Sequence, residues 1–229
     1  MSIHFIGSDR GQAGKSWFIR ALVEVLARTD ERIIVVDASM DKRIGMTYSP
    51  AFNQAYNLQF ATQAFYDLDV LLDLGSEHTL IVKIPANDRE VFIRWVRESE
   101  IDSLGFPCFY WFVSTGKEDY PPEILDLFGQ QAFLVENHHF RENFKSFEQP
   151  VFDDTKRVIL LGLINNPIEI YQIENSQQPL SCFVSNPQVP LLTRSRIYRL
   201  INTVADGVES ISTHSSHRDR MSHYAGHSA

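Results

Sequence analysis

Near the N-terminus, the octet Asp9-Arg10-Gly11-Gln12-Ala13-Gly14-Lys15-Ser16 separates an apolar run from an amphipathic stretch. The run before it, Ile3-His4-Phe5-Ile6-Gly7, reads as a strand, and Trp17 to Leu26 after it reads as a helix. A strand that leaves through a short loop of small residues ending in Gly-Lys-Ser and enters a helix at once is the most constraining segment of the chain. It predicts an α/β unit in which loop amides and the positive end of the helix dipole converge on one point, the arrangement that holds a phosphate chain. Lys15 has the length to reach β/γ phosphate oxygens, and the Ser16 hydroxyl suits a Mg²⁺ ion. Gly11, Gln12, Ala13, Gly14, Lys15, Ser16 and Trp17 are therefore the candidate cradle. The simpler alternative is an ordinary glycine-containing turn between strand and helix.

The rest of the chain repeats the alternation. Apolar, β-branched runs recur at Arg32 to Asp37, Thr79 to Ile84, Phe106 to Ser114, Ala132 to Glu136 and Val158 to Leu163. They are near-continuous, as in strands buried on both faces. Between them lie helix-length segments at Lys15 to Arg28, Ala61 to Leu74, Asp88 to Ser99, Pro121 to Phe128 and, more loosely, Arg141 to Phe147. The pattern predicts an α/β fold of three layers, α/β/α, around a mostly parallel sheet, with any nucleotide at the carboxyl edge of the strands. The segment Gly45 to Phe60 is rich in aromatics, which reads either as core beneath a loop or as a pocket wall.

Composition narrows the function classes. With 229 residues, 44% hydrophobic and 22% charged, the chain can bury a substantial core, and the simplest division is one domain over 1–211 with a tail over 212–229. A net charge of −8 excludes a surface built throughout to coat nucleic acid, so any DNA contact has to be focal. Cys108 and Cys182 stand in apolar contexts far apart, which predicts buried thiols in a reducing compartment. No apolar run approaches the roughly 20 residues that span a bilayer, and no basic leader opens the chain. The expected location is the cytoplasm.

Arg10-Gly11-Gln12-Ala13-Gly14-Lys15-Ser16 resembles, without gaps, the Lys-Gly-Gly-Val-Gly-Lys-Ser/Thr loop of the ParA/MinD family of deviant Walker P-loop ATPases. The resemblance implies a P-loop NTPase fold, ATP and Mg²⁺ as cofactors, and a homodimer in which Arg10, at the family's lysine position, reaches the partner's nucleotide. Asp9 stands where the usual pattern opens with Gly, and Gln12 puts a side chain where backbone approaches phosphate. Arg at the first position keeps the charge and turns a point donor into a planar fork.

The resemblance continues more loosely to about residue 165. After the second strand the family places Asp-x-Asp; Val35-Val36-Asp37-Ala38-Ser39-Met40-Asp41 keeps the first carboxylate, and Ser39 takes the second position. Asp37 is thus the implied metal-shell and catalytic carboxylate, joined by Ser16 at the metal, although Asp37 alone also reads as an acid ending a strand. A serine hydroxyl holds water but cannot take its proton, and Asp41 is an alternative from two residues on. The third family strand reads Val-Asp-Leu-Pro-Ala, and here Val82-Lys83-Ile84-Pro85-Ala86 sets a cation where the acid belongs. Phe109 to Ser114, Leu125 to Gly129 and Phe133 to Asn137 look like a subgroup associated with plasmid mobilisation and stability. That likeness implies Asn137 as an adenine contact; a strand-terminal turn residue is the alternative. His138 and His139 read as polar surface.

Toward the C-terminus, Ile197, Leu200, Ile201, Val204 and Val208 repeat at helical spacing within Thr193 to Ile211, one apolar face that packs on the sheet. Asp206 and Glu209 and the lack of a Lys-rich face argue against a membrane helix. From Ser212 the chain is polar and small, which predicts a flexible tail whose His214, His217, His223 and His227 are solvated. The expected function is an ATP-dependent dimerisation switch that positions an unidentified cargo or adaptor, such as plasmid DNA, with slow hydrolysis. Changes at Gln12, Ser39 and Lys83 keep open a second expectation, a catalytically eroded scaffold acting through protein contacts.

Overall fold

The computed structural model describes residues 1–8, 10–29, 32–38, 44, 47–48, 55–56, 68–103, 105–117, 119–140, 156–160 and 167–225, with 55–56, 102, 167 and 210–225 described by backbone alone. Among the described residues, seven strands form one sheet: β1 (Ile3–Gly7), β2 (Ile33–Asp37), β3 (Ala55–Tyr56), β4 (Thr79–Lys83), β5 (Cys108–Ser114), β6 (Ala132–Asn137) and β7 (Arg157–Leu160). Their order is β3-β2-β4-β1-β5-β6-β7, and every pairing is parallel. The helices are α1 (Lys15–Leu26), α2 (Val70–Glu77), α3 (Arg89–Glu98), α4 (Pro122–Phe128), α5 (Pro167–Asn175), α6 (Leu180–Ser185) and α7 (Leu191–Ala225).

Strand periodicity divides the core into two layers. Ile3 and Phe5 of β1 and Tyr110 and Phe112 of β5 face Leu71, Phe92, Trp95, Ile124 and Phe128 of α2, α3 and α4. The intervening Ile6, Trp111 and Val113 face Phe18, Ile19 and Leu22 of α1 and Ile197, Leu200 and Val204 of α7. The fold is the expected three-layer α/β/α arrangement, each large apolar side chain contributing about 1.5–3 kcal/mol by burial. Helix α7 comes so close to β7 that a Cβ at Gly207 would lie 2.7 Å from Val158 Cγ2. On the same side of β1, Trp111 Nε1 donates to His4 Nδ1 at 3.1 Å. Burial, aided by the positive N-terminus, lowers the His4 pKa to about 3, so the ring is neutral.

Several expectations need correction. Helix α7 is helical backbone as far as Ala225, which covers 212–225 of the expected tail; 226–229 lie outside the described residues. Extending a helix costs far less than starting one, and no proline interrupts 212–225; the next glycine is Gly226. Cys182 is exposed while Cys108 is buried. Leu180 anchors α6 in the core, and two residues on, about 200° around the helix, Cys182 faces out. Helices α5 and α6 were not anticipated, because α6 is six residues long and α5 exposes Ile168 and Tyr171, which blurs its periodicity. The expected helical segments 61–67 and 141–147, the strand end at 161–163, and most of the aromatic segment 45–60 lie outside the described residues; Tyr48 is buried and donates to the Arg20 carbonyl at 3.2 Å. Among the described residues, no helix is long and apolar enough to cross a membrane.

Candidate functional site

The loop after β1 is held from three directions. The Ser8 hydroxyl donates to the Arg10 carbonyl at 2.8 Å and accepts a short hydrogen bond from Lys15 Nζ. The Asn137 amide, at the end of β6, donates to the Ala13 carbonyl at 2.8 Å. Gly14 caps α1 in the left-handed region at φ 105°, where its carbonyl accepts from the amides of Trp17 and Phe18, both at 3.0 Å. A Cβ at Gly14 would lie 2.5 Å from Asn137 Nδ2, so backbone and amide approach here as only glycine permits. Gln12 also has positive φ, 61°, a conformation that costs a non-glycine residue about 1–2 kcal/mol.

Helix α1 starts with no side-chain cap and no acidic residue in its first turn. Its positive dipole end therefore meets the cleft with no acidic residue of its own first turn to offset it. Gly11, Gln12, Ala13, Gly14, Lys15, Ser16 and Trp17 all line a cleft of about 660 Å³, with Arg20, Ile44, Lys83, Pro85, Ala86, Asn87 and Glu174 around them. That volume lies within the range of small-molecule and cofactor sites. Every residue expected in the loop cradle thus borders one cavity at the carboxyl ends of β1 and β4. Burial, and next the nearby Lys83 ammonium, lower the Lys15 pKa to about 8.

Asp37 and Lys83 are register partners on β2 and β4, and strand pairing brings their side chains together. Lys83 Nζ lies 3.5 Å from Asp37 Oδ1, with Asp37 fully buried and Lys83 nearly so. Asp37 Oδ2 also accepts the Ile44 amide at 3.1 Å. The carboxylate expected in a Mg²⁺ shell is engaged by an ammonium and an amide, and it is absent from the cleft lining. Ser16 does line the cleft, so the two expected metal residues are not joined at one face of it. A divalent ion beside Lys83 would meet repulsion on the order of several kcal/mol. Ser16 and Asp37 as arranged do not fit a bound Mg²⁺; Ser39 and Asp41 lie outside the described residues.

Two further expected residues lie beside the cleft lining, not in it. Asn137 is buried, with Nδ2 on the Ala13 carbonyl and Oδ1 accepting the His139 amide at 3.0 Å. Each end of its amide has a partner within the protein, so it buttresses the loop, and it is not among the residues lining the cleft. Arg10 is exposed and outside the cleft lining. Sequence reasoning missed Ser8, Arg20 and Glu174. Arg20 is buried one and a half turns beyond Lys15 and donates to the Gln178 carbonyl at 3.2 Å and to Thr47 Oγ1 at 3.3 Å. Glu174, from the unanticipated α5, accepts from Trp17 Nε1 at 3.2 Å and so places the indole at the cleft wall. A hydroxyl directly after a strand and before Gly-Lys-Ser was the available signal for Ser8; Glu174 had none.

Comparison of the chain with protein-family models and with curated proteins returns no match.

Proposed function

We propose that the protein is a ParA/MinD-like nucleotide-binding switch: ATP enters the cleft at the N-terminus of α1, favours a homodimer, and thereby positions a cargo or adaptor. The observation that carries this reading is the convergence on one cavity of an uncapped helix start and two nearly buried lysines, Lys15 and Lys83. Two ammonium groups near each other destabilise the empty protein, and a polyphosphate between them relieves that cost. On binding, Lys15 exchanges its neutral Ser8 partner for an anionic phosphate oxygen, so that the ammonium gains a counter-charge. The amides of Gly14, Lys15 and Ser16, residues that line the cleft, would supply the remaining donors, and Trp17 an aromatic wall.

The Asp37–Lys83 pair favours binding without efficient turnover. A carboxylate held by an ammonium is a poor acceptor for a proton from attacking water. Hydrolysis is therefore slow at most, and nucleotide occupancy itself, read by a partner protein or a focal patch on DNA, is the signal.

Equilibrium binding of labelled ATP, steady-state phosphate release and sedimentation test this reading together. Saturating ATP at about 100 times Kd should raise Tm by about 5–10 °C and shift the protein toward dimer. Lys15→Ala should abolish both effects. An unchanged Tm and unchanged amide signals from residues 10–17 at saturating nucleotide would overturn the proposal.

A further inference from the structure

Lys83 has no role in the metal-assisted site that the sequence resemblance implies, yet it lines the cleft beside Lys15 and is nearly buried. Its position is set by the sheet: β4 pairs with both β1 and β2, so the last residue of β4 lies beside Ile6 on one side and Asp37 on the other. A lysine there is a fixed positive charge, anchored through Asp37, about where a polyphosphate entering over α1 needs neutralisation. We infer that Lys83 is the built-in cation of the cleft, so that the site takes a nucleotide polyphosphate as its metal-free anion and Mg²⁺ weakens binding. This inference rests on the nucleotide reading above and specifies the ionic form of the ligand.

The physical reasons are two. Mg²⁺ neutralises part of the charge that attracts the nucleotide to Lys15 and Lys83, and the complex would carry its divalent ion toward the Lys83 ammonium. Asp37, paired with Lys83 and with the Ile44 amide, then acts as a positioning residue that holds the cation. The Asp37 carboxylate also shares the Lys83 charge, so removing its negative charge should strengthen anion binding. A carboxylate in a metal shell behaves in the opposite way.

The test is binding of ATP to the full chain by calorimetry, once in excess EDTA and once in excess Mg²⁺. The wild type should bind ATP in EDTA at least as tightly as with Mg²⁺. Asp37→Asn, which keeps an oxygen for the Ile44 amide, should tighten binding in EDTA by about threefold or more. Lys83→Met should weaken it by about tenfold or more. The double substitution D37N/K83M leaves neither member of this pair as a buried charge without its counter-charge, and it should show the same loss if the single Lys83 variant fails to fold. ATP binding that requires Mg²⁺, weaker binding by Asp37→Asn, or wild-type affinity of D37N/K83M in EDTA would each overturn the role of Lys83 while leaving nucleotide binding intact. No binding of ATP by the wild type in either buffer would sink the nucleotide reading itself.

Discussion

The lowered pKa of Lys15 makes nucleotide affinity depend on pH in a defined window. In the empty protein the amine titrates at about 8 in place of its ordinary 10.5, because burial disfavours the ammonium and Lys83 adds to the cost. A phosphate oxygen at Nζ restores the ammonium, so between these two values the bound state holds a proton that the empty state lacks. Affinity for ATP should be flat from pH 7 to 8 and then fall by up to about tenfold per pH unit. The full interval corresponds to about 3 kcal/mol, or about 300-fold. Phosphate ionisation does not interfere, since the last phosphate proton leaves near pH 6.

Calorimetry at pH 9 in two buffers of different ionisation enthalpy reads the proton uptake, which should approach one per nucleotide. Lys15→Arg stays charged throughout and should bind with an affinity independent of pH. The empty protein gives a companion sign: the fold holds fewer protons than the unfolded chain between about 8 and 10.5, so the Lys15 contribution raises stability with pH there and is unfavourable below. Constant affinity from pH 7 to 9.5 with no proton uptake would refute the assignment of Lys15 to the phosphate.

Gly14→Ala should cost about 3 kcal/mol and lower Tm by about 6–12 °C, because it adds a Cβ in the left-handed region against Asn137; thermal melts of the empty protein check this. Asn137→Ala should cost about 1–3 kcal/mol by leaving the Ala13 carbonyl and the His139 amide unpaired. It should weaken ATP and GTP by the same factor, and selective loss of ATP would instead mark Asn137 as a reader of the base. His4 is neutral in the fold down to about pH 3 and charges near 6.5 when unfolded, so its share of stability is complete above 6.5 and is lost as pH falls toward 3. Denaturant titrations from pH 7 to 4 should show that His4→Gln removes up to about 1.4 kcal/mol per pH unit of that acid dependence.

Much of the architecture is legible in the chain because parallel strands covered on both faces must be apolar almost throughout, and Ile3 to Gly7, Ile33 to Asp37 and Cys108 to Ser114 stand out on that ground alone. The cleft-lining loop residues Gly11 to Trp17 are equally legible, since local order along eight residues builds the strand, turn and helix start. Helices α5 and α6 are less so. Helix α6 docks against α1 and α7, and α5 meets α1 through Glu174 and Trp17; short segments anchored in the core by Ile173 and Leu180 leave little periodicity to read.

From the residues themselves follow the α/β class, the helix that Gly14 initiates and the Lys15 ammonium at its start. All of these are local consequences of side-chain type and spacing. Only the tertiary structure decided what the charged residues do. Asp37 and Lys83 are 46 positions apart, and strand register alone sets them 3.5 Å from each other. Asn137 is brought behind the loop by the pairing of β6 with β5. A residue's identity fixes which charge or donor it carries, whereas its partner depends on which strands lie side by side, and that is settled by packing the whole sheet.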